Sequence, residues 1–402
     1  MEFRANVVAA ATHPDPYPFY ARLVAERPFG WDAAAGAWVA ASAAAVEAVF
    51  ASPLCRVRPP GEPVPAAIAG TAAGEVFARL ARMSDGACHH RRRAGVRGAM
   101  ATLDLAAAEE LSSRWTRASW AEDEGWGAEA GFRLPLFVVA SMLGVPDERL
   151  RELSQWTRDF VRCVAPGADP ASVAGGAEGA ARLMELFADD EIASAPPLRA
   201  LASGLAAAGE ADARTVAANA IGLLFQSHDA TAGLLGNAIV ALAENPEVDR
   251  EMRARPELLP EFIREVLRHD PPVQNTRRFV AEDGVVAGQA VRAGDAVLLL
   301  LAAANRDPDA NDDPHRFCLH RPLRRTFALG HGAHACPGGA LAEAIVTGAL
   351  RAMMEMEVEF ARFAAGRTYL PSINGRIPLF ACRGDAISPR TDGLSATATR
   401  TP

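Results

Sequence analysis

One segment brings two histidines and a cysteine together within six residues: Gly330-His331-Gly332-Ala333-His334-Ala335-Cys336-Pro337-Gly338-Gly339. Proline is favoured at the first helical position, so Pro337 predicts that Cys336 is the N-cap of a helix running toward Met356. A sulfur placed there sits among backbone amides that no helical carbonyl uses. Those amides and the positive end of the helix stabilise a thiolate. Gly332, Gly338 and Gly339 carry no side chain that would keep a flat ligand away from the backbone. A large planar metal cofactor fits such a loop. Three other readings compete. His331, His334 and Cys336 are candidate zinc ligands, but zinc needs a fourth from elsewhere and the sequence has no spaced partner pair. Gly330-x-Gly332 suggests a dinucleotide loop, yet the third glycine is misplaced and no strand–turn–helix unit surrounds it. A buried thiol in a glycine-rich turn is the plain alternative.

Three more constellations carry polar groups where they need a partner or a task. Gln226-Ser227-His228-Asp229-Ala230-Thr231 interrupts a long apolar stretch. Gln226 and Ser227 share a helical face with Ala230, whereas Thr231 sits about 100° round from it. Glu265 and Arg268, three apart, share a face and can pair. Most such pairs are solvated and of little consequence. His89-His90-Arg91-Arg92-Arg93 is a dense basic run that on its own reads as a solvated face.

The elements that must position these groups are mostly helices of Ala, Leu, Arg and Glu broken by Pro and Gly. From Asp212, an N-cap, one pattern runs to Ala243-Glu244 and stops at Asn245-Pro246; it is roughly 30 residues or about 45 Å long, enough to cross a domain. Strand signals are few, near Arg278–Val280, Gly284–Gly288 and Val297–Leu301. Pro59–Gly74 and Pro166–Gly179 read as mobile loops within a single domain, because no composition shift marks a boundary. The fold class is mainly α with a minor β-sheet.

Composition narrows the partners. The chain has 402 residues, 50% hydrophobic and 22% charged, with a net charge of −8. Nothing here grips a phosphate backbone, so nucleic acid is not expected. All 41 basic side chains are Arg, which looks like a coding bias. Met1-Glu2-Phe3-Arg4 lacks the order of an export signal, and the longest apolar run, Ala296 to Ala304, is far short of the roughly 20 residues that span a membrane. A cytoplasmic location without membrane insertion is expected. The cysteines at 55, 88, 163, 318, 336 and 382 form no C-x-x-C pair, so reduced thiols are expected.

Taken together, the chain resembles a bacterial cytochrome P450, a haem-thiolate monooxygenase, over nearly its full length. The family's haem loop spaces an aromatic, a Gly, a His or Arg, the Cys and a further Gly; Gly332, His334, Cys336 and Gly338 match, and Leu329 stands in the aromatic position. Glu265-Val266-Leu267-Arg268 matches the family's E-x-x-R, and the Pro271-Pro272 that follows fixes the register against the overlapping Glu261–Arg264. Ala304-Asn305-Arg306-Asp307-Pro308 also matches. The resemblance implies the cytochrome P450 fold with a long central helix over haem b (iron protoporphyrin IX), one domain across residues 1–402, and Cys336 as the metal ligand. It implies that His89, Arg93, Arg278 and His334 serve the propionates, with Thr326 where many members have a further His. It also implies that Arg316, in Pro314-His315-Arg316-Phe317, is the third member of the Glu265–Arg268 lock.

The family's oxygen-activating motif aligns with Gln226 to Thr231: the acid, Asp229, is present, and Ala230 replaces the usual alcohol. Gln226 is expected to project over the haem, where Gln226, Ser227 or a substrate hydroxyl orders the water that the alcohol would have held. Thr231 is kept in the candidate set, Asp229 gates protons, and His228 is read as structural. The resemblance implies an oxygen-dependent oxidase of a small organic molecule, in natural-product tailoring, with electrons from a ferredoxin and its reductase; Arg91 and Arg92 are candidate docking charges. The altered motif leaves oxidative coupling of aromatic rings, as in peptides or diketopiperazines, as an alternative, with peroxide-driven turnover beside it. A catalytically silent haem-binding activator or scaffold is the third.

Overall fold

A computed structural model describes residues 7–122 and 126–380; Met1–Arg4 and Cys382 lie outside these described residues. Helices dominate in chain order: α1 (Tyr17–Glu26), α2 (Ala43–Ala51), α3 (Ala72–Arg79), α4 (Gly86–Ala101), α5 (Leu105–Glu122), α6 (Ala128–Met142), α7 (Leu150–Cys163), α8 (Pro170–Phe187), α9 (Asp190–Ala193), α10 (Pro196–Ala207), α11 (Ala213–Glu244), α12 (Pro246–Ala254), α13 (Leu259–His269), α14 (Leu301–Asn305) and α15 (Gly339–Glu355). A five-stranded sheet lies to one side, in the order β1 (Phe29–Asp32), β2 (Ala37–Ala40), β7 (Ala296–Leu299), β4 (Thr276–Val280) and β3 (Cys55–Arg56). Only the β2–β7 pairing is parallel. The hairpin of β5 (Gly284–Val286) and β6 (Gln289–Val291) stands apart from it. No helix among the described residues is long and apolar enough to cross a membrane.

The central helix α11 spans 32 residues, with the Asp212 carboxylate accepting from the Arg214 amide and Asn245-Pro246 ending it, as its caps dictate. It packs against α3, α6, α7, α8, α10, α13 and α15, so most of its side chains are buried.

Glycine lets neighbouring helices approach it closely. A Cβ on Gly204 of α10 would lie 2.8 Å from Gly95 Cα of α4, and one on Gly348 of α15 would lie 2.2 Å from the Glu109 carbonyl oxygen of α5. These contacts fix α4, which bears the basic run, and α15, which follows the cysteine loop.

The expected loop at Pro166–Gly179 is a helix from Pro170 onward. The Asp169 side chain accepts from the Ala171 and Ser172 amides, and Pro170 takes the first turn. Its glycines serve packing: a Cβ on Gly176 would lie 2.2 Å from Cys163 Cβ of α7, and one on Gly179 would lie 2.7 Å from the Trp156 carbonyl oxygen. Pro59–Gly74 contains a short 3-10 turn at Ala66–Ile68 and the start of α3.

Candidate active site

The approach to the cysteine loop is held at three levels. Deepest is Glu265 of α13, whose carboxylate is fully buried and pairs with Arg268 through contacts of 2.7 and 3.0 Å. The overlapping Glu261–Arg264 pair is half exposed, so the buried register is the Glu265 one. Arg268 also donates to the Pro314 and Arg316 carbonyls at 2.7 and 3.0 Å, and Glu265 accepts from the Cys318 amide at 3.0 Å. The expectation for Arg316 is corrected here: its side chain is exposed and only its carbonyl joins the lock. The further cations on Glu265 are Arg324 at 2.9 Å and Arg321 at 3.4 Å. A motif match cannot say whether a residue contributes its side chain or its backbone. Burial pushes the Glu265 carboxyl up, but Arg268, the Cys318 amide and Arg324 outweigh it and hold it below its ordinary range.

The next level is the Asn305 side chain at the end of α14. It donates to the Leu267 carbonyl at 3.0 Å and accepts from the Phe327 amide at 2.6 Å. Asn311 repeats the device: its side chain accepts from the Arg325 amide at 2.9 Å and donates to the Asn305 carbonyl at 3.0 Å. Phe327, 1% exposed, then plugs the small core under the sheet.

The loop itself turns through Gly330 and Gly332 at φ of +69° and +65°, a region that only glycine enters freely. The Cys336 amide donates to the Leu329 carbonyl at 2.6 Å, and the Gly338 amide donates to Cys336 Sγ at 3.3 Å. The helix begins later than Pro337 predicted, with Gly338 as its N-cap. Cys336 stands two residues ahead of the cap, exposed, and still receives one of the unused amides. Leu329 packs over Gly339, where a Cβ would lie 2.8 Å from Leu329 Cδ1.

Basic groups gather around this sulfur. Arg93 of α4 donates to the Ala335 carbonyl at 2.6 Å, and the His89 and His334 rings stack at 4.0 Å. Arg278 of β4 donates only to its neighbour's carbonyl and lies over the Phe50 ring at 5.0 Å. Burial lowers the proton affinity of all four. His334 is pushed down to about 3, by desolvation first and then by His89, Arg278, Arg93 and Arg82. Arg278 is pushed down to about 10, by burial first, against the pull of Asp85. His89 and Arg93 are lowered by burial and by the cations beside them. The carboxylate that meets this cluster is Asp85, 3.8 Å from His334. Its oxygens are already shared with the Val57 amide at 3.2 Å. Cations forced together and desolvated, beside a sulfur and a glycine turn, suit a flat dianionic group. The donor set therefore fits haem, which Cys336 would hold by its iron and Arg93, Arg278, His89 and His334 by its propionates. Among the described residues no group of three or more His, Cys, Asp or Glu is arranged to hold a metal ion, so the zinc reading has no ligand set.

Across from the loop, α11 carries polar groups out of step with its core packing. Gln226 is exposed although Leu224 and His228 around it are buried. Its amide nitrogen donates to the Gly222 carbonyl at 2.7 Å, and Ser227 donates to the Leu224 carbonyl at 2.8 Å. The Asp229 carboxylate is half exposed and meets His228 Nδ1 at 2.7 Å, while the His228 ring stacks on Phe132 at 5.0 Å. The partner of Asp229 is thus His228, which the sequence reading left as merely structural. Thr231, 4% exposed, is buried in the helix packing and does not share the open side with Gln226 and Asp229.

The basic run divides. Arg92 pairs with Glu210 at 2.7 Å and donates to the Ala78 carbonyl and Ser84 hydroxyl at 2.8 and 2.9 Å, so it is a tie between elements and not a free docking charge. Arg91 is 43% exposed, 3.7 Å from Glu210.

Comparison with known proteins bears on the same site. Residues 198–356, from α10 through α15, match the family model of cytochrome P450. The protein described as cytochrome P450 144 of Mycobacterium tuberculosis is 34% identical over 256 residues, 62% of this chain and 58% of its own length. The biotin biosynthesis cytochrome P450 of Bacillus subtilis is 31% identical over 219 residues, 54% of this chain and 55% of its own. The matched stretch thus spans little more than half the length of these curated relatives. The crystal structure of P450BioI with acyl carrier protein bearing hexadec-9Z-enoic acid superposes over 94% of this chain and 100% of that one, with a TM-score of 0.76 at 22% identity. CxnD, described as forming a C–S bond in chuangxinmycin biosynthesis, superposes over 92% of this chain and 95% of its own, with a TM-score of 0.70 at 21% identity.

Proposed function

The chain belongs to the cytochrome P450 family, and from that premise we propose that it is a haem-thiolate oxidase of a small organic molecule, with the Cys336 sulfur as the protein's ligand to the iron. The observation that carries this reading is the desolvated basic cluster converging on that sulfur. Bound haem supplies the oxidising chemistry, reduction of dioxygen with cleavage of the O–O bond, which a thiolate ligand favours. The Gly338 amide on the sulfur, 3.3 Å away, moderates how much electron density the thiolate gives. Arg93, Arg278, His89 and His334 would hold the haem propionates.

On α11, Ala230 lacks the alcohol, and the exposed polar group one turn before it is Gln226, whose carboxamide folds back toward Gly222. With its nitrogen spent on the Gly222 carbonyl, its oxygen is left to order a water. Asp229 takes protons from solvent, and the buried His228 ring holds its carboxylate in place. Electrons come from a ferredoxin and its reductase, with Arg91 the exposed charge of the basic run. Tailoring of a natural product agrees with the described roles of the relatives in biotin and chuangxinmycin biosynthesis. Ala230 itself favours a second reading, oxidative coupling without oxygen insertion, in which no hydroxyl is needed beside the metal.

The test is spectroscopic first. The reduced protein under carbon monoxide is expected to give the band of sulfur-ligated haem, and Cys336→Ser is expected to abolish it; a spectrum indifferent to that change ends the reading. Gln226→Ala is then expected to divert electrons from product to peroxide, and Ala230→Thr to restore coupling. Product mass separates the two chemistries: a gained oxygen marks insertion, lost hydrogens mark coupling.

A further inference from the structure

One cation of this site has no role in the function proposed above. Arg82 lies in the single turn Ala81–Met83 between α3 and α4, and the backbone around it is clamped. The Asn219 side chain on α11 accepts from the Ala81 amide at 2.9 Å and donates to the Arg79 carbonyl at 3.1 Å. Arg92 ties the Ala78 carbonyl to Ser84 from the other side, and Leu80 is 1% exposed, seated where a Cβ on Gly222 would lie 2.9 Å from it. The direction in which Arg82 leaves the chain is therefore set by its neighbours.

Its side chain makes no hydrogen bond or ion pair among the described residues. The guanidinium carbon lies 5.6 Å from the Phe225 ring centroid, one residue before Gln226, and Phe225 meets Phe160 of α7 edge-on at 5.3 Å. Arg82 is solvent-accessible, yet burial depresses its proton affinity and the Cys336 sulfur is the charge that pulls it back. Its place over Phe225 puts it on the open side of α11, next to the exposed Gln226. A guanidinium held there without a partner is costly, and an entering anion would relieve that cost.

A carboxylate is the fitting anion, and two sources exist, a haem propionate or a substrate. The propionates already have Arg93, Arg278, His89 and His334, whereas Arg82 is set apart by its place on the Phe225 wall beside Gln226. We propose that Arg82 is the substrate anchor of this enzyme, pairing with the carboxylate of a small apolar acid whose body packs on the partly exposed Phe225. The proposal rests on the haem-thiolate reading above.

The test uses the haem-loaded protein and a series of ω-imidazolyl alkanoic acids with their methyl esters. The imidazole ligates the iron and reports binding by a shift of the haem absorption, while the chain length samples the distance to Arg82. Wild type is expected to bind at least one acid about tenfold or more tighter than its ester, and Arg82→Gln to remove that preference while leaving ester binding within roughly twofold. Arg82→Lys is expected to keep part of it. Equal binding of acids and esters by wild type across the series, or a preference that survives Arg82→Gln, overturns the proposal. Faster haem transfer from Arg82→Gln to apomyoglobin, with the preference intact, assigns Arg82 to a propionate and overturns it too. The carbon-monoxide spectrum of the same wild-type sample separates the two levels. If the sulfur-ligated band is absent the haem reading fails, and if it is present without an acid preference only the Arg82 anchor fails.

Discussion

Replacing Glu265 by Gln keeps the volume and removes one charge from a site where three guanidinium groups converge. The carboxylate is 0% exposed and takes Arg268 at 2.7 Å, Arg324 at 2.9 Å, Arg321 at 3.4 Å and the Cys318 amide at 3.0 Å. An amide in its place offers one acceptor oxygen and turns an NH2 group toward a donor. Removing one partner of a buried pair costs about 3–5 kcal/mol, because the remaining charges stay buried and uncompensated. That is a large part of the roughly 5–15 kcal/mol that holds a domain together. The pH dependence follows from the carboxyl being held below its ordinary range in the fold. A group whose folded pKa is depressed contributes stability above its unfolded pKa, and that stability is lost as pH falls through the folded value. The gap between wild type and Glu265→Gln in urea melts is therefore expected to be full at neutral pH and to narrow as the buffer is acidified below about 4. Haem content, measured in parallel, is expected to fall in the variant, since Glu265 fixes the strand of chain that carries Cys318 toward the loop. An unchanged midpoint at neutral pH, or a gap that stays constant into acid, refutes the argument that ionic compensation at Glu265 holds the loop.

Two further outcomes follow from other parts of the fold. The His269 ring accepts from Arg306 at 3.1 Å and contacts the His315 carbonyl at 3.0 Å, and its pKa is pushed down to about 3, by burial first and then by Arg306. Below the ordinary His value the unfolded chain takes a proton that the folded chain refuses, so acidification to about pH 5 is expected to cost on the order of 2 kcal/mol. His269→Gln should flatten that slope in pH-dependent urea melts, and an unaltered slope counts against it. Gly348→Ala places a Cβ 2.2 Å from the Glu109 carbonyl oxygen and forces α5 from α15. It is expected to lose roughly 1–3 kcal/mol in thermal unfolding, and a variant as stable as wild type would mean that the two helices separate freely.

What could be read in the sequence was whatever local chemistry decides. Asp212 and Asn245-Pro246 bound α11 because a cap and a breaker act on their own neighbours. The register of Glu265 came instead from the resemblance, through the Pro271-Pro272 that follows the E-x-x-R match. The readings that failed depended on what arrives from far along the chain. Gly175, Gly176 and Gly179 look flexible in isolation, and only the approach of α7 turns the latter two into packing residues. Arg316 matches a motif, but its side chain faces solvent while Arg321 and Arg324 reach Glu265. His228 gave no signal as a partner of Asp229, since residues one apart on a helix do not ordinarily face each other; here Phe132 holds the ring where it can reach. β1 and β2 give little strand signal because Phe29-Gly30-Trp31-Asp32 and Ala37-Trp38-Val39-Ala40 hold Gly, Asp and Ala where strands favour β-branched residues.

Two arginine clusters among the described residues behave oppositely, and the difference says what the site is for. Arg376 is surrounded by the Asp270 carboxylate, the Tyr369 hydroxyl and the His13 and Pro14 carbonyls, and its proton is held more firmly than usual. Such a cluster is electrostatically complete within the chain. The cluster beside Cys336 is not: Arg93 and Arg278 are both shifted the other way, with burial the first cause each time. Folding alone leaves these cations crowded and desolvated, a cost the apolar core must offset. A dianion that binds the folded chain and not the unfolded one reverses that cost, so its affinity adds directly to stability. Binding of the prosthetic group and closure of the cysteine loop are then one equilibrium, in which each charge added to the pocket tightens the hold on an acidic ligand and loosens the ligand-free fold.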